Sequence, residues 1–317
     1  MLNAIIFISL LLNGICSALE TQNSTEAIGN LYFVGYIVPN ITLTKNMLEL
    51  GTGNQFGPVI AVSTKVKLPN MGQMTVTMKR CFSIYDNPFF ELVEVDPSLD
   101  SLVSPGVSVP GYLGYVVDDV KKAGKTLENA AFIQVARAQD YSFAYYRGIN
   151  GVLIKLVISE LVPARGGINI PQAPINLGPV KHVDLAILQF EACKTQLSNA
   201  LSITWQPDFI SAGTPFLFPE GVFLTNASLV ASNTPIEIEL EYVLPSLGIF
   251  NCSDSVPVFH VSYSAKNGTM NAVNSQMLAA GYILNTSVTI PPYGLILTFY
   301  IAPDKSWVEV VDERFDI

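Results

Sequence analysis

HVDLAILQFEACKTQLSNAL (residues 182–201) and HVSYSAKNGTMNAVNSQMLAAG (residues 260–281) each begin with one of the only two histidines in this 317-residue chain. Both segments open on a short run suited to a strand and then change to a helical period. In the second, Met270, Val273, Met277 and Ala280 mark one helix face, and Gly281 stands where a helix C-terminal glycine belongs. Histidine is the commonest protein metal ligand and the usual proton carrier near neutral pH. Two of them at matched places in matched segments are therefore a sharper signal than either alone.

The same opening occurs twice more, as FVGYIVPNITLTKNMLELG from Phe33 and YLGYVVDDVKKAGKTLENA from Tyr112. Val117, Val120, Ala123 and Leu127 mark a helix face in the latter, and Gly51 sits where the former helix should end. Further strand candidates follow in every copy, the last being an alternating apolar run: FFELVEV (89–95), GVLIKLVI (151–158), IEIELEYV (236–243) and WVEVVD (307–312). The unit is β-α-β-β-β, used four times. Phe33 to His182 is 149 residues, and both Tyr112 to His260 and Glu91 to Glu239 are 148. A tandem repeat of that length, each half holding two units, accounts for all three offsets. The expected fold class is α+β, with a first domain over 31–165, a second over 179–314, and Gly167–Gly178 as the linker.

This arrangement resembles the vicinal oxygen chelate superfamily of glyoxalases, epimerases, bleomycin-resistance proteins and extradiol dioxygenases. The resemblance rests on the openings FVGYIVPN, YLGYVVDD, HVDLAIL and HVSYSAKN, and on the terminal strands FELVEVDPSL, IELEYVLPSL and FYIAPDKSWVEVVD. The loop after Glu239 is most similar to the epimerase-like glyoxalase branch. The resemblance implies that paired units form two cup-shaped, glyoxalase-like domains, with metal ligands on the first and last strands of two units. Carried across, those positions are His182, Glu239, His260 and Glu309 in the second domain, and Phe33, Glu91, Tyr112 and Lys155 in the first.

The chemistry of these residues agrees with the positions. Two imidazoles and two carboxylates suit one divalent ion such as Zn, Ni, Co, Mn or Fe. Aromatic rings and a lysine do not, so the first domain is expected to hold no metal, and Glu91 and Lys155 can form an ion pair. Residues i and i+2 share a strand face. Two places beyond each opening residue stand Gly35, Gly114, Asp184 and Ser262, small or polar as on a cavity wall. Glu237, Glu239 and Glu241 lie on one face of a single strand, which leaves open which of the three is the ligand.

By resemblance, such a centre stabilises an enediolate while a carboxylate, Glu309 or Glu239, carries the proton. The expected function is thus that of a glyoxalase-like metalloprotein, a lyase or isomerase of a small oxygenated substrate. An extradiol-type Fe(II) dioxygenase is the alternative, using His182, His260 and Glu309, with Phe299-Tyr300 and Pro303 resembling the final-strand motif. That family also uses a further active-site histidine, which this chain lacks. A non-catalytic small-molecule binding protein is the third reading. No G-x-S-x-G elbow, P-loop or dinucleotide glycine fingerprint is present.

Composition bounds the setting. Half the residues are hydrophobic, 14% are charged and the net charge is −9 without basic clusters, which argues against nucleic acid or an anionic membrane as partner. Residues 1–18 are uncharged with an apolar run from Ala4 to Leu12, and read as a secretory signal peptide. Six Asn-x-Ser/Thr sequons, at Asn23, Asn40, Asn226, Asn251, Asn267 and Asn285, fit a secreted glycoprotein. No later stretch is long and apolar enough to span a bilayer. Cys81, Cys193 and Cys252 remain after cleavage, an odd number that excludes a disulfide framework.

Overall fold

The computed structural model describes residues 28–29, 31–69, 71–84, 89–95, 110–164, 177–205, 210–218, 221–229, 237–243, 257–265, 270–290 and 295–312, with only the backbone described over 210–218 and 221–229 and at 179, 243, 290 and 295. The expected signal peptide, Asn23, Asn251, Asn267 and Cys252 lie outside the described residues. Unit one comprises β1 (Leu31–Ile37), α1 (Ile41–Thr52), β2 (Ile60–Leu68), β3 (Gly72–Phe82) and β4 (Phe89–Glu94). Unit two comprises β5 (Gly111–Val116), α2 (Val120–Asn129), β6 (Ile133–Ala138), β7 (Phe143–Arg147) and β8 (Leu153–Val157). Unit three runs through β9 (Leu177–Ala186), α3 (Phe190–Leu201), β10 (Ile210–Phe218), β11 (Gly221–Leu229) and β12 (Glu237–Val243). Unit four runs through β13 (Val258–Ala265), α4 (Met270–Ala279), β14 (Ile283–Ile290), β15 (Leu295–Ile301) and β16 (Trp307–Asp312).

In every unit the first strand pairs in parallel with the last, as in β1 with β4 and β9 with β12. The first strands of paired units run antiparallel to each other, β1 beside β5 and β9 beside β13. Units therefore pair within the chain, one with two and three with four. Each cup closes into an eight-stranded barrel, through β2 and β6 at Val66–Ala138 and through β10 and β14 at Leu217–Thr289. The seams are short, two residue pairs between β2 and β6 and one between β10 and β14 among the described residues.

Alternate side chains of the central strands serve two different compartments. Val34 and Tyr36 of β1, Val183 and Leu185 of β9, and Val261 and Tyr263 of β13 face outward into one apolar layer shared with the helices. That layer joins the two halves. Tyr36 meets Phe259 edge-on at 5.2 Å, Asn54 Nδ2 donates to the Tyr263 hydroxyl at 2.6 Å, and Gln276 Nε2 donates to the Gly51 carbonyl at 2.9 Å. Asn40 caps α1 by accepting from the Leu43 N–H, and Asp119 caps α2 by accepting from Lys122.

Two glycine assignments shift. Gly51 lies inside α1, where a Cβ would come within 2.7 Å of the Tyr282 ring; the left-handed residue ending the helix is Gly53, at φ 74°. Gly178 belongs to β9 rather than to a linker, because a Cβ there would meet Ser264 Oγ of the neighbouring strand at 2.2 Å. Gly281 does follow α4 with φ +92°.

The first barrel is filled by its own side chains. Phe33, Ile37, Val66, Leu68, Val76, Phe89, Tyr112, Phe143 and Tyr145 form a separate buried cluster inside it. Gly35 and Gly114 do not border open space there, as their small size suggests; they make room for rings across the β1–β5 pair. A Cβ on Gly35 would lie 2.0 Å from the Tyr112 ring, and one on Gly114 would lie 2.3 Å from Phe33. Gly114→Ala is expected to destabilise the fold by about 1–3 kcal/mol through overpacking. Adding Phe33→Leu, which withdraws the colliding atoms, should recover part of that loss in a chemical denaturation series. Strictly additive losses would refute the collision.

Candidate metal centre

The second barrel has the same geometry with opposite chemistry. In the middle of β9, β12, β13 and β16, His182, Asp184, Glu239, Glu241, His260, Ser262 and Glu309 alternate with the outward apolar residues Val183, Leu185, Ile238, Leu240, Val261, Tyr263, Val308 and Val310, so alternation points acids and imidazoles at the barrel axis. The registers set them side by side: Asp184 lies next to Glu239 and His260, and Ser262 next to His182 and Glu309.

His182, Glu239, His260 and Glu309 converge there. His182 Nε2 lies 3.2 Å from Glu309 Oε2 and 3.3 Å from Glu239 Oε2. His260 Nε2 lies 3.9 Å from the same Glu309 oxygen. Asp184 Oδ2 also reaches both rings, 3.4 Å from His182 Nε2 and 3.3 Å from His260 Nε2. On the acidic strand, Glu239 is the residue that meets His182. Glu241 lies one pleat further along beside Ala186, and Glu237 pairs in register with His182.

Burial makes these charges interact strongly. Asp184 and His260 are each 1% exposed, and Glu309 is 3% exposed. Burial and the nearby charges of Glu239 and Glu309 hold the Asp184 carboxyl well above the usual carboxylate range. Burial, then Glu239 and Glu309, does the same to Glu241. Glu239 is raised by burial and by the Glu309 charge, although His182 opposes this. Burial alone would raise Glu309, but the hydrogen bond and charge of His182 and the charge of His260 outweigh it, and its carboxyl is lowered. His182 is shifted up, since Glu309 and Glu239 overcome its burial; His260 is pushed down to about 4 by burial.

These residues fit a divalent cation. Donor atoms bonded at about 2.0–2.2 Å to one ion stand roughly 3–3.5 Å apart at neighbouring positions, and all four distances from His182 and Asp184 fall in that range. Two neutral imidazoles leave the charge of the buried carboxylates uncompensated, whereas an ion of charge two offsets most of it. His182, Asp184 and Glu239, and Asp184, His260 and Glu309, form two donor groups sharing Asp184. The sequence alone puts Asp184 on the cavity wall, and the structure adds it to the donors. Its signal was the i+2 spacing from His182, which puts both on one strand face.

The first barrel shows what replaces such a centre. Glu91 Oε2 accepts from Lys155 Nζ at 2.5 Å and from the Tyr112 hydroxyl at 2.7 Å. The ammonium stands 5.4–6.0 Å from the ring centroids of Phe33, Tyr112, Phe143 and Tyr145. A cavity of about 10 Å³ remains beside it, enough for one water at most. The expected Glu91–Lys155 ion pair forms, and a lysine cation sits where the other barrel gathers its donors.

Two barrels, each closed from paired βαβββ units around inward-facing first and last strands, define the vicinal oxygen chelate fold. A variant of homoprotocatechuate 2,3-dioxygenase from B. fuscum has this architecture over 92% of the present chain and 73% of its own, with a TM-score of 0.53 and 11% identity. A mutant 4-hydroxymandelate synthase from Streptomyces coelicolor matches over 90% and 92%, with a TM-score of 0.52 and 13% identity. The 2,3-dioxygenase LapB from Pseudomonas sp. KL28 matches over 90% and 93%, with a TM-score of 0.51 and 10% identity. At such identities the likeness speaks for the fold. No family model matches the sequence, and no curated protein is similar to it in sequence.

The remaining expectations divide. Phe299 lines the centre, edge-on to His260 at 5.6 Å, whereas Tyr300 faces the helix layer and its hydroxyl donates to Asn274. Asn40 and Asn285 are exposed, and Asn226 lies in β11. Cys81 and Cys193 are buried free thiols, raised by burial to about 11 and about 12. Among the described residues no helix is long and apolar enough to cross a membrane.

Proposed function

We propose that the second barrel is a divalent-metal centre and that the protein is a glyoxalase-like lyase or isomerase of a small oxygenated substrate, closest to the epimerase-like branch. The observation that carries this is the convergence of His182, Glu239, His260 and Glu309, separated by up to 127 residues along the chain, on one buried point. Those four would hold the ion, which when bound supplies Lewis-acid stabilisation of a developing oxyanion. Glu309, buried and kept ionised by the imidazoles, is suited to ligation. Glu239 is the better proton carrier: its side chain is 15% exposed against 4% for Glu309, and its affinity for a proton is raised. Phe299 fixes the His260 ring from the side and keeps water from that edge. The uncharged amino-terminal segment and the sequons support an exported glycoprotein.

The test is metal analysis of the purified full chain, followed by turnover of a hemithioacetal with Zn or Ni and of a catechol with Fe(II) under anaerobic loading. Hemithioacetal or epimerase-type turnover supports the proposal, and catechol cleavage would replace it with the dioxygenase reading. A chain that binds the small molecule but no metal would be a binding protein. Proton linkage offers a further check. His182 and the carboxylates must be proton-free to ligate, so affinity should fall as pH drops from about 7 to about 5, with protons released on binding near neutrality. Calorimetry in two buffers of different ionisation enthalpy would read that release; none at all would contradict the donor set.

A further inference from the structure

We infer that Asp184 is a fifth protein donor of this centre, making it a carboxylate-rich site that leaves one coordination position, rather than two, to outside ligands. The inference rests on the metal reading above. Strand β9 carries His182 and Asp184 on one face, and both neighbours of Asp184 in register, Glu239 on β12 and His260 on β13, are themselves candidate donors. Its Oδ2 approaches both imidazoles through Nε2, the same nitrogens that face Glu309. A carboxylate that merely orients a ligating histidine takes the ring nitrogen turned away from the ion. Asp184 stands on the ion's side.

Asp184 Oδ2 is fully buried and accepts from no well-aligned protein donor; its close neighbours are the His182 and His260 imidazole nitrogens, at 3.4 and 3.3 Å, and the Glu239 carboxyl interacts with the same side chain. A buried carboxylate oxygen without a partner is costly, and a cation between the two imidazoles would supply one. The pseudo-symmetric position in the first barrel is Gly35, covered by the Tyr112 ring. The acid is thus present in the barrel that gathers donors and missing from the one sealed by Lys155. Three carboxylates and two imidazoles favour an ion that accepts six ligands and oxygen donors, Mn²⁺ or Fe²⁺, over four-coordinate Zn²⁺. A substrate would then bind the ion through a single oxygen, unless it displaced a protein ligand.

The experiment uses the full chain stripped with a chelator and titrated with Mn²⁺ alone, read by water-proton relaxation. One ion per chain, carrying one exchangeable water, is expected. Asp184→Asn should add a second water, weaken Mn²⁺ on the order of 100-fold, and weaken Zn²⁺ less. Two waters in the unaltered protein, or a variant with unchanged affinity and hydration, would overturn the fifth-donor role while leaving the metal centre standing. Two ions per chain would overturn it in favour of a bridging carboxylate. Failure of the unaltered chain to bind Mn²⁺ or Zn²⁺ would overturn the metal reading itself. The hydration number of the unaltered protein decides the matter even if the variant does not fold.

Discussion

His260→Ala is expected to weaken divalent-metal binding by at least about 100-fold while leaving the barrel folded. The ring is 1% exposed, its Nε2 faces Asp184 and Glu309, and burial keeps it neutral at physiological pH, the state in which imidazole ligates. The strand should persist because Phe259, Val261 and Tyr263 anchor β13 from its other face. Metal titration with circular dichroism on the same samples would separate the two effects. Tyr112→Phe, at the matching position of the first barrel, should leave affinity unchanged. Full metal binding by the His260 variant would remove the centre from consideration.

The second large effect concerns the first barrel. Lys155→Ala should cost up to about 3–5 kcal/mol of stability, because it leaves Glu91, completely buried, without its closest cation and with only the Arg80 guanidinium, whose Nε lies 3.5 Å from Oε1. Replacing both partners, Lys155→Met with Glu91→Leu, should recover part of that loss, since the net worth of a buried pair against an apolar pair is small, although Arg80 then loses its carboxylate. A double-mutant cycle by chemical denaturation reads the coupling; equal losses in the single and double variants would contradict the pairing. Titration adds a signature. Burial lowers the Lys155 ammonium to about 8, the charge of Glu91 opposing, against about 10.4 in an unfolded chain. Between those values the unfolded chain holds a proton that the folded chain has released. This group's contribution to stability therefore rises with pH across that window and is least below about 8. In Lys155→Met that rise should vanish.

The repeated unit was legible in the sequence because its signals are local: a period-2 run, a helical face, and a constant offset of 148 or 149 residues. His182 and His260 were legible as site residues for the same reason, each standing at the head of such a unit. Glu309 followed from the short register of WVEVVD. Asp184 was readable as an inward position, but whether an inward acid lines a wall or meets an imidazole depends on what the next strand brings beside it.

Sequence by itself therefore determined four βαβββ units, their pairing as a tandem duplication, and a second half chemically suited to a cation. Tertiary structure alone decided that Glu239, among three glutamates on one face, meets His182; that the cups close into barrels; and that Gly35 and Gly114 admit rings instead of bounding a cavity. The physical reason is that alternation specifies the face of a strand, whereas contact across strands is set by register and shear, which arise only when the whole sheet closes.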